Sequence, residues 1–379
     1  MRVALVHDWL DTWRGGERVL SEICGVYEDA ELFALVDFLP DTDRPRLRGK
    51  RAVTTFLQRL PFARRSFRRM LPLFPRAIES LDVSAFDLVV SSSHAVAKGV
   101  RTHPGQLHIC YCYTPMRYAW DLREQYLRQS GLDHGLRGRL ARRVLDRLQA
   151  WDRATSGRVD HFVAASQHIA ERIRRCYGRE STVIYPPVAI DAIDPPPARG
   201  SSYVTVAQLV PYKRIDLIVE AFGRLPEREL IVIGEGPERA RIEAIAGPNV
   251  HLIGRVSDRE RDLWLAKARA FIFAAEEDFG IAPVEAQAAG TPVIALARGG
   301  ALETIRGLDA PVPTGVLYAD QTAGAIVAAI LEFEARHARF EAAACIENAA
   351  RFDPQRFRRE LAAFVDARWS EFAGRKDRR

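Results

Sequence analysis

The chain has 379 residues, 47% of them hydrophobic and 27% charged, with 55 Lys and Arg against 49 Asp and Glu. That length and balance describe a soluble globular protein of two or three domains and exclude disorder as the main state. No stretch reaches the ~18 uninterrupted apolar residues of a membrane helix, and charge brackets the short apolar run in Met1–Asp8, so neither a signal peptide nor membrane insertion is expected and a cytoplasmic location is.

The five cysteines, Cys24, Cys110, Cys112, Cys176 and Cys345, are odd in number and scattered, which suits reduced core residues better than disulfides or a zinc site. The net charge of +6 is uneven. Residues 1–200 carry +8 and residues 201–379 carry −2, and within 44–147 there are 21 basic residues against 7 acidic ones. Such an excess suits a polyanionic partner for the first half.

In chain order, Arg2–His7 is a strand-like run, Thr12–Glu17 contains Gly15-Gly16, and the apolar spacing of Arg18–Cys24 suits a helix. Strand, glycine loop and helix follow one another. Further strands are predicted at Phe86–Ser91, His108–Tyr113 and Asp160–Ala165, with helix-length segments between them. His94 comes directly after the first of these. The segment Tyr113–Asp121 also begins at a strand end, and its aromatic residues suit either core packing or stacking on a sugar. Two basic segments stand out, 64–74 and 137–148. In the second, Leu140, Val144, Leu145 and Leu148 share a helical face ringed by arginines, the pattern of a helix lying on an anionic membrane or packed on its own domain.

Between 181 and 203, Pro186-Pro187, Asp194-Pro-Pro-Pro197 and Arg199-Gly-Ser-Ser202 predict an extended linker. The expected boundaries are a first domain over 1–190, a linker over 191–202, a second domain over 203–350 and a C-terminal helical segment over 351–379. Apolar runs at Ser202–Ala207, Glu229–Gly234, Val250–Gly254, Ala270–Ala274, Pro292–Leu296 and Gly315–Tyr318 again alternate with helical segments. Buried strands alternating with helices give a parallel sheet, so the fold class is α/β with two Rossmann-like domains. Their ligands belong at the carboxyl ends of the strands.

The richest segment is Glu276–Ile294, where three acids end a strand, Phe279-Gly280 makes a turn, and Pro283 sits in the first turn of a helix. Backbone N–H groups at that helix start suit a phosphate. Glu277 and Glu285, eight positions apart, suit two separate sets of ligand hydroxyls rather than a proton-sharing pair. Gly234-Glu-Gly-Pro237 lacks the third glycine of a dinucleotide fingerprint, Arg239 standing there instead. No nucleic-acid-binding module and no metal-ligand spacing is present in the sequence.

The pattern Glu277-x-Phe-Gly-x-x-x-x-Glu285, followed by Ala-x-Ala-x-Gly-x-Pro-Val-Ile, resembles the signature of the family 4 retaining glycosyltransferases of GT-B fold. Leu209-Val-Pro-Tyr-Lys213-Arg-Ile-Asp216 resembles that family's diphosphate-binding loop, and Gly234-Glu-Gly-Pro237 is a third match in order and spacing. The resemblance implies two Rossmann-like domains facing a cleft, with the last helix crossing back to the first domain. It also implies a nucleotide-sugar donor, no required metal or other cofactor, and a glycan or lipid-linked saccharide acceptor. Lys213 would contact the donor diphosphate, Glu285 the ribose hydroxyls and Glu277 the sugar hydroxyls, with the Phe279-Gly280-Ile281 backbone beside sugar and phosphate. Gly15 and Gly16 would let the backbone approach the donor phosphates, and His94 would contact the transferred sugar. Family members commonly carry an arginine where this chain has Gln208, and Arg214 is the candidate substitute. The motif variants look most like mannosyltransferases of surface-polysaccharide pathways, implying GDP-mannose ahead of UDP-sugars and a peripheral place on the membrane through 64–74 and 137–148. The competing enzyme class is a sugar-nucleotide epimerase or hydrolase on the same scaffold, which would consume sugar nucleotide without an acceptor.

Overall fold

The computed structural model describes residues 1–188 and 198–376; linker residues 191–197 lie outside the described part. The chain divides into two compact units, Met1–Pro187 with the segment from Phe357 onward, and Val188–Arg356.

The first unit is built on seven parallel strands: β1 (Val3–His7), β2 (Glu31–Ala34), β3 (Val53–Thr54), β4 (Leu88–Ser93), β5 (Leu107–Cys112), β6 (His161–Ala164) and β7 (Ser181–Val183), in the order β3-β2-β1-β4-β5-β6-β7. Successive side chains of a strand point to opposite faces, and both faces are covered. Ala4, Val6 and Val89 pack with Phe67, Phe74, Leu145 and Leu148, while Leu5, Val90, Ile109 and Tyr111 pack with Val19, Leu20 and Ile23. The long helix Pro354–Lys376 joins that second layer through Phe357, Leu361 and Val365, spaced by four residues and fully buried. β3 has two residues and β7 is a half-exposed edge strand of Ser, Thr and Val, so neither shows an apolar run long enough to be read from sequence.

The second unit has six parallel strands: β8 (Tyr203–Val206), β9 (Leu230–Ile233), β10 (Val250–Gly254), β11 (Phe271–Phe273), β12 (Val293–Leu296) and β13 (Gly315–Tyr318), ordered β10-β9-β8-β11-β12-β13. In each sheet the chain starts in the middle, moves one way, then returns to the other side of its first strand. Loops on either side of that reversal diverge and leave a crevice at the carboxyl ends. The crevice lies beyond β1 and β4 in the first unit and beyond β8 and β11 in the second.

Three details alter the sequence expectations. Gly15 and Gly16 are the first residues of the helix Gly15–Val26 rather than a loop before it. In the helix Gly135–Thr155, Leu145 and Leu148 are buried in the core with Val144 against it, while Leu136 and Leu140 are exposed. Val144, Leu145 and Leu148 of the shared apolar face of 137–148 are therefore taken up by the protein's own core, while Leu140 is left exposed. Tyr118 and Trp120 likewise pack on that core, and Trp120 Nε1 donates to Asp152 at 2.8 Å. All five cysteines are free and buried, and among the described residues no helix is long and apolar enough to cross a membrane.

A buried ion pair fixes the turn after β4. Lys98 Nζ lies 2.8 Å from Asp152 Oδ1, with 1% and 0% of the two side chains exposed, and also donates to Thr155 Oγ1 at 3.0 Å. Asp152 Oδ2 accepts from Trp120 Nε1 and from the Tyr177 hydroxyl at 2.8 Å. Removing one partner of such a pair strands the other charge in the core. Lys98→Met is expected to cost about 3–5 kcal/mol, read as the loss of unfolding free energy in urea.

Candidate active site

In the second unit the chain leaves β8 through Gln208, buries Leu209 completely, and makes a short helical turn over Pro211–Lys213. Arg214 then takes a left-handed conformation, φ 54°, and the helix Ile215–Gly223 begins. Beyond β11, Ala274 and Ala275 are buried, Glu277 forms a β-bridge with Gly299, and Phe279 inserts against Phe352 with ring centroids 5.2 Å apart. Gly280, with φ 85°, turns the chain into the helix Ile281–Ala288.

These two loops, 64 positions apart in sequence between Lys213 and Glu277, bring their charges together. Lys213 Nζ pairs with Glu277 Oε1, and the two side chains are 18% and 19% exposed. The ammonium and the carboxylate thus stand side by side at the carboxyl ends of adjacent strands, next to the Gly280 turn. Glu285, one turn into the following helix, is buried at 5%, and Arg261 Nη1 lies 3.7 Å from its carboxylate. Arg261 also holds Asp262 at 2.7 Å and Asp258 at 3.1 Å. Arg214 is engaged within its own neighbourhood, by Asp216 at 3.1 Å and Gln321 at 3.4 Å.

Glycines make this packing of loops feasible. A Cβ on Gly234 would overlap the Ala207 carbonyl, and one on Gly236 the Leu209 carbonyl. The loop after β9 is stitched to the Lys213 loop by Leu209 N donating to Glu235 O at 2.9 Å and Glu238 N donating to Leu209 O at 3.0 Å. Gly299 and Gly300 do the same beneath Glu277: Gly300 N donates to Glu277 O at 2.8 Å, and a Cβ there would overlap Phe279. This Gly-Gly pair was legible only as a glycine pair after an apolar strand.

In the first unit the site expected around His94 has an unmarked centre, Asp8. Fully buried at the end of β1, its carboxylate accepts from the backbone N–H of His94 (2.6 Å), Ala95 (3.0 Å), Val96 (2.6 Å) and Ala97 (2.7 Å), and lies 2.9 Å from His94 Nδ1. Burial works against its ionisation, but the neighbouring His94, His7 and the N–H donors outweigh that and hold the Asp8 carboxyl below the usual range. His94 moves the other way: burial pulls it down, the Asp8 charge and hydrogen bond raise it further, and the net is upward. A second chain of hydrogen bonds runs from His7 Nδ1 to Ser92 Oγ (3.0 Å), to the Tyr113 hydroxyl (2.8 Å), which donates to Gly16 O (3.0 Å). It ties β1 and β4 to the start of the glycine helix, where Glu17 accepts from Arg14 N at 2.9 Å. Among the described residues no group of three or more His, Cys, Asp or Glu could hold a metal ion.

Residues 13–192 match the family model described as Glycosyltransferase Family 4, and residues 193–352 match Glycosyl transferases group 1. The chain belongs to the family 4 glycosyltransferases. This glycosyltransferase is 28% identical over 178 residues to the GDP-mannose-dependent monoacylated alpha-(1-6)-phosphatidylinositol monomannoside mannosyltransferase of Corynebacterium glutamicum, across 39% of this chain and 47% of that one. The match thus spans about half the length of that relative. Among solved structures, sucrose-phosphate synthase from Thermosynechococcus elongatus superposes with a TM-score of 0.74 at 18% identity, covering 98% of this chain and 100% of that one. Anabaena HepE in complex with UDP and glucose gives 0.67 at 17% identity, over 96% and 99%. These likenesses place the fold in the GT-B class.

The contact between the glycine loop and the Lys213 loop is open to a direct check. Gly236→Ala forces the two backbones apart and is expected to cost about 1–3 kcal/mol, seen as a lowered unfolding midpoint.

Proposed function

We propose that this glycosyltransferase moves mannose from GDP-mannose to a glycan or lipid-linked saccharide of a polysaccharide pathway, with retention at the anomeric carbon. The observation that carries this reading is the pairing of Lys213 with Glu277 beside the Gly280 turn. An ammonium is a compact charge suited to a diphosphate, and a carboxylate accepts from neighbouring sugar hydroxyls. Each serves as the other's counterion until the donor supplies both a phosphate for the lysine and hydroxyls for the glutamate. Glu285, at the base of the same helix, takes the ribose hydroxyls. The backbone of Phe279, Gly280 and Ile281 borders sugar and phosphate, with the helix start adding N–H donors and a favourable dipole.

From the first unit, Gly15 and Gly16 serve the donor phosphates and His94 the transferred sugar. A Cβ at Gly16 would meet nothing in the protein closer than His7 Cε1 at 3.9 Å, so packing alone does not require glycine there. Arg214, held by Asp216 and Gln321, is a secondary cation for the diphosphate in place of the arginine that Gln208 replaces.

The sugar leaves its diphosphate through an oxocarbenium-like state while Lys213 and the helix start stabilise the charge building on the leaving phosphate. The acceptor hydroxyl arrives on the same face and gives its proton to that phosphate oxygen, so the C–O bond to phosphate breaks as the one to the acceptor forms. The donor assignment follows the motif variants and the GDP-mannose dependence in the name of the Corynebacterium relative; UDP-sugars are the second class. For the acceptor side, Phe62 is 81% exposed among exposed Arg59, Arg64, Arg65, Arg68 and Arg69, a mixture that suits an anionic lipid surface carrying the acceptor.

A thermal-shift panel of sugar nucleotides is expected to give its largest stabilisation with GDP-mannose, and no response to any nucleotide would refute the reading. Lys213→Ala should cut turnover by roughly 10²-fold or more with the unfolding midpoint preserved, and the anomeric proton of the product should report retention. Gly16→Ala should keep or raise stability, since alanine favours a helix over glycine, while weakening donor binding. Flotation with anionic vesicles should carry the protein upward at low salt, and Phe62→Ser with Arg64→Ser and Arg65→Ser should leave it at the bottom.

A further inference from the structure

Asp8 is a heavily engaged side chain of the first unit and no motif includes it. Its two oxygens gather four consecutive backbone N–H groups, from His94 to Ala97, and the imidazole of His94. A carboxylate used only to satisfy a turn needs the N–H groups and no imidazole. Here the same oxygen that accepts from His94 N also meets His94 Nδ1, so backbone and ring are fixed by one atom. The Trp9 ring packs edge-on against the imidazole, centroids 4.6 Å apart. Nε2 has no hydrogen-bond partner among the described residues, and 34% of the His94 side chain is exposed.

We propose that Asp8 is a positioning residue that holds His94 as an imidazolium whose Nε2–H donates to an oxygen of the transferred sugar. The proposal rests on the assignment of His94 to that sugar. Of the charged neighbours on the packed elements, the acidic ones support the protonated ring. Asp8, after β1, and Glu17, on the glycine helix, favour it; Arg68 opposes it but is itself held by Asp11 at 2.6 Å; His7 and Tyr113 face it with ring centroids at 6.3 Å. Because the folded value of His94 is raised, the imidazolium persists to higher pH than in an ordinary histidine and is lost as pH climbs through that value. Without the Asp8 charge, burial and Arg68 pull the other way.

The test is an NMR titration of 13C-labelled histidine side chains, with the His94 signal assigned by its absence in His94→Gln. In the wild-type protein the His94 midpoint is expected above the ordinary value of about 6.5. In Asp8→Asn it should fall by about one pH unit or more, and the alkaline limb of kcat/KM should move down with it. A wild-type midpoint at or below the ordinary value overturns the proposal, and that measurement stands even where Asp8→Asn does not fold. An unmoved midpoint in a folded Asp8→Asn overturns it as well. If the midpoint moves as expected while His94→Gln transfers sugar at the wild-type rate, the sugar contact is wrong and the clamp on His94 is right.

Discussion

All the placed chemistry depends on one constraint, the reversal of strand order beside the first strand of each parallel sheet. Parallel strands are joined by crossovers, and a crossover covers one face of the sheet. When the chain reverses direction, the crossovers on the two sides cover opposite faces, and the loops beyond the two central strands have no neighbour filling the space between them. β1 and β4 flank one such gap, β8 and β11 the other. Asp8 and His94 sit at the first, Lys213 and Glu277 at the second. In each case a carboxylate on one side of the reversal meets a basic group on the other, which is how residues far apart in sequence become partners at 2.9 Å or closer.

The sequence disclosed the second gap far better than the first. Around Lys213 and Glu277 the chain must make tight turns, and glycine, proline and acids in fixed order leave a pattern that survives without any view of the fold. Around Asp8 the work is done by backbone N–H groups of His94, Ala95, Val96 and Ala97, which any residue but proline supplies. An aspartate after a strand is common, and only its complete burial distinguishes this one. Arg261 beside Glu285 is hidden for a related reason: it stands in the first turn of the helix Asp258–Lys267 in a run of charges, Asp258-Arg-Glu-Arg-Asp262, and nothing local says which member turns inward.

Core positions show the same division. Most strands with continuous apolar runs were legible to within a residue or two, but β2, in the run Leu32–Val36, was missed, and β3 and β7 are held by pairing with a neighbour and not by their own composition. In the amphipathic stretch 137–148, Val144, Leu145 and Leu148 belong to the core while Leu140 is exposed, and periodicity cannot tell a protein core from a lipid surface. Exposed to solvent are Leu136 and Leu140 on the helix Gly135–Thr155 and Phe62 within its arginine-rich stretch.

The helix Pro354–Lys376 carries a consequence for how the protein is made. Phe357, Leu361 and Val365 complete the layer beneath Leu5 and Tyr111, yet they are synthesised after the entire second unit. On the ribosome the β1–β7 sheet emerges with one face partly uncovered, and it stays so while β8 to β13 are translated and fold. The second unit, a single continuous stretch from Val188 to Arg356, can finish first, so the order of completion runs opposite to the order of synthesis.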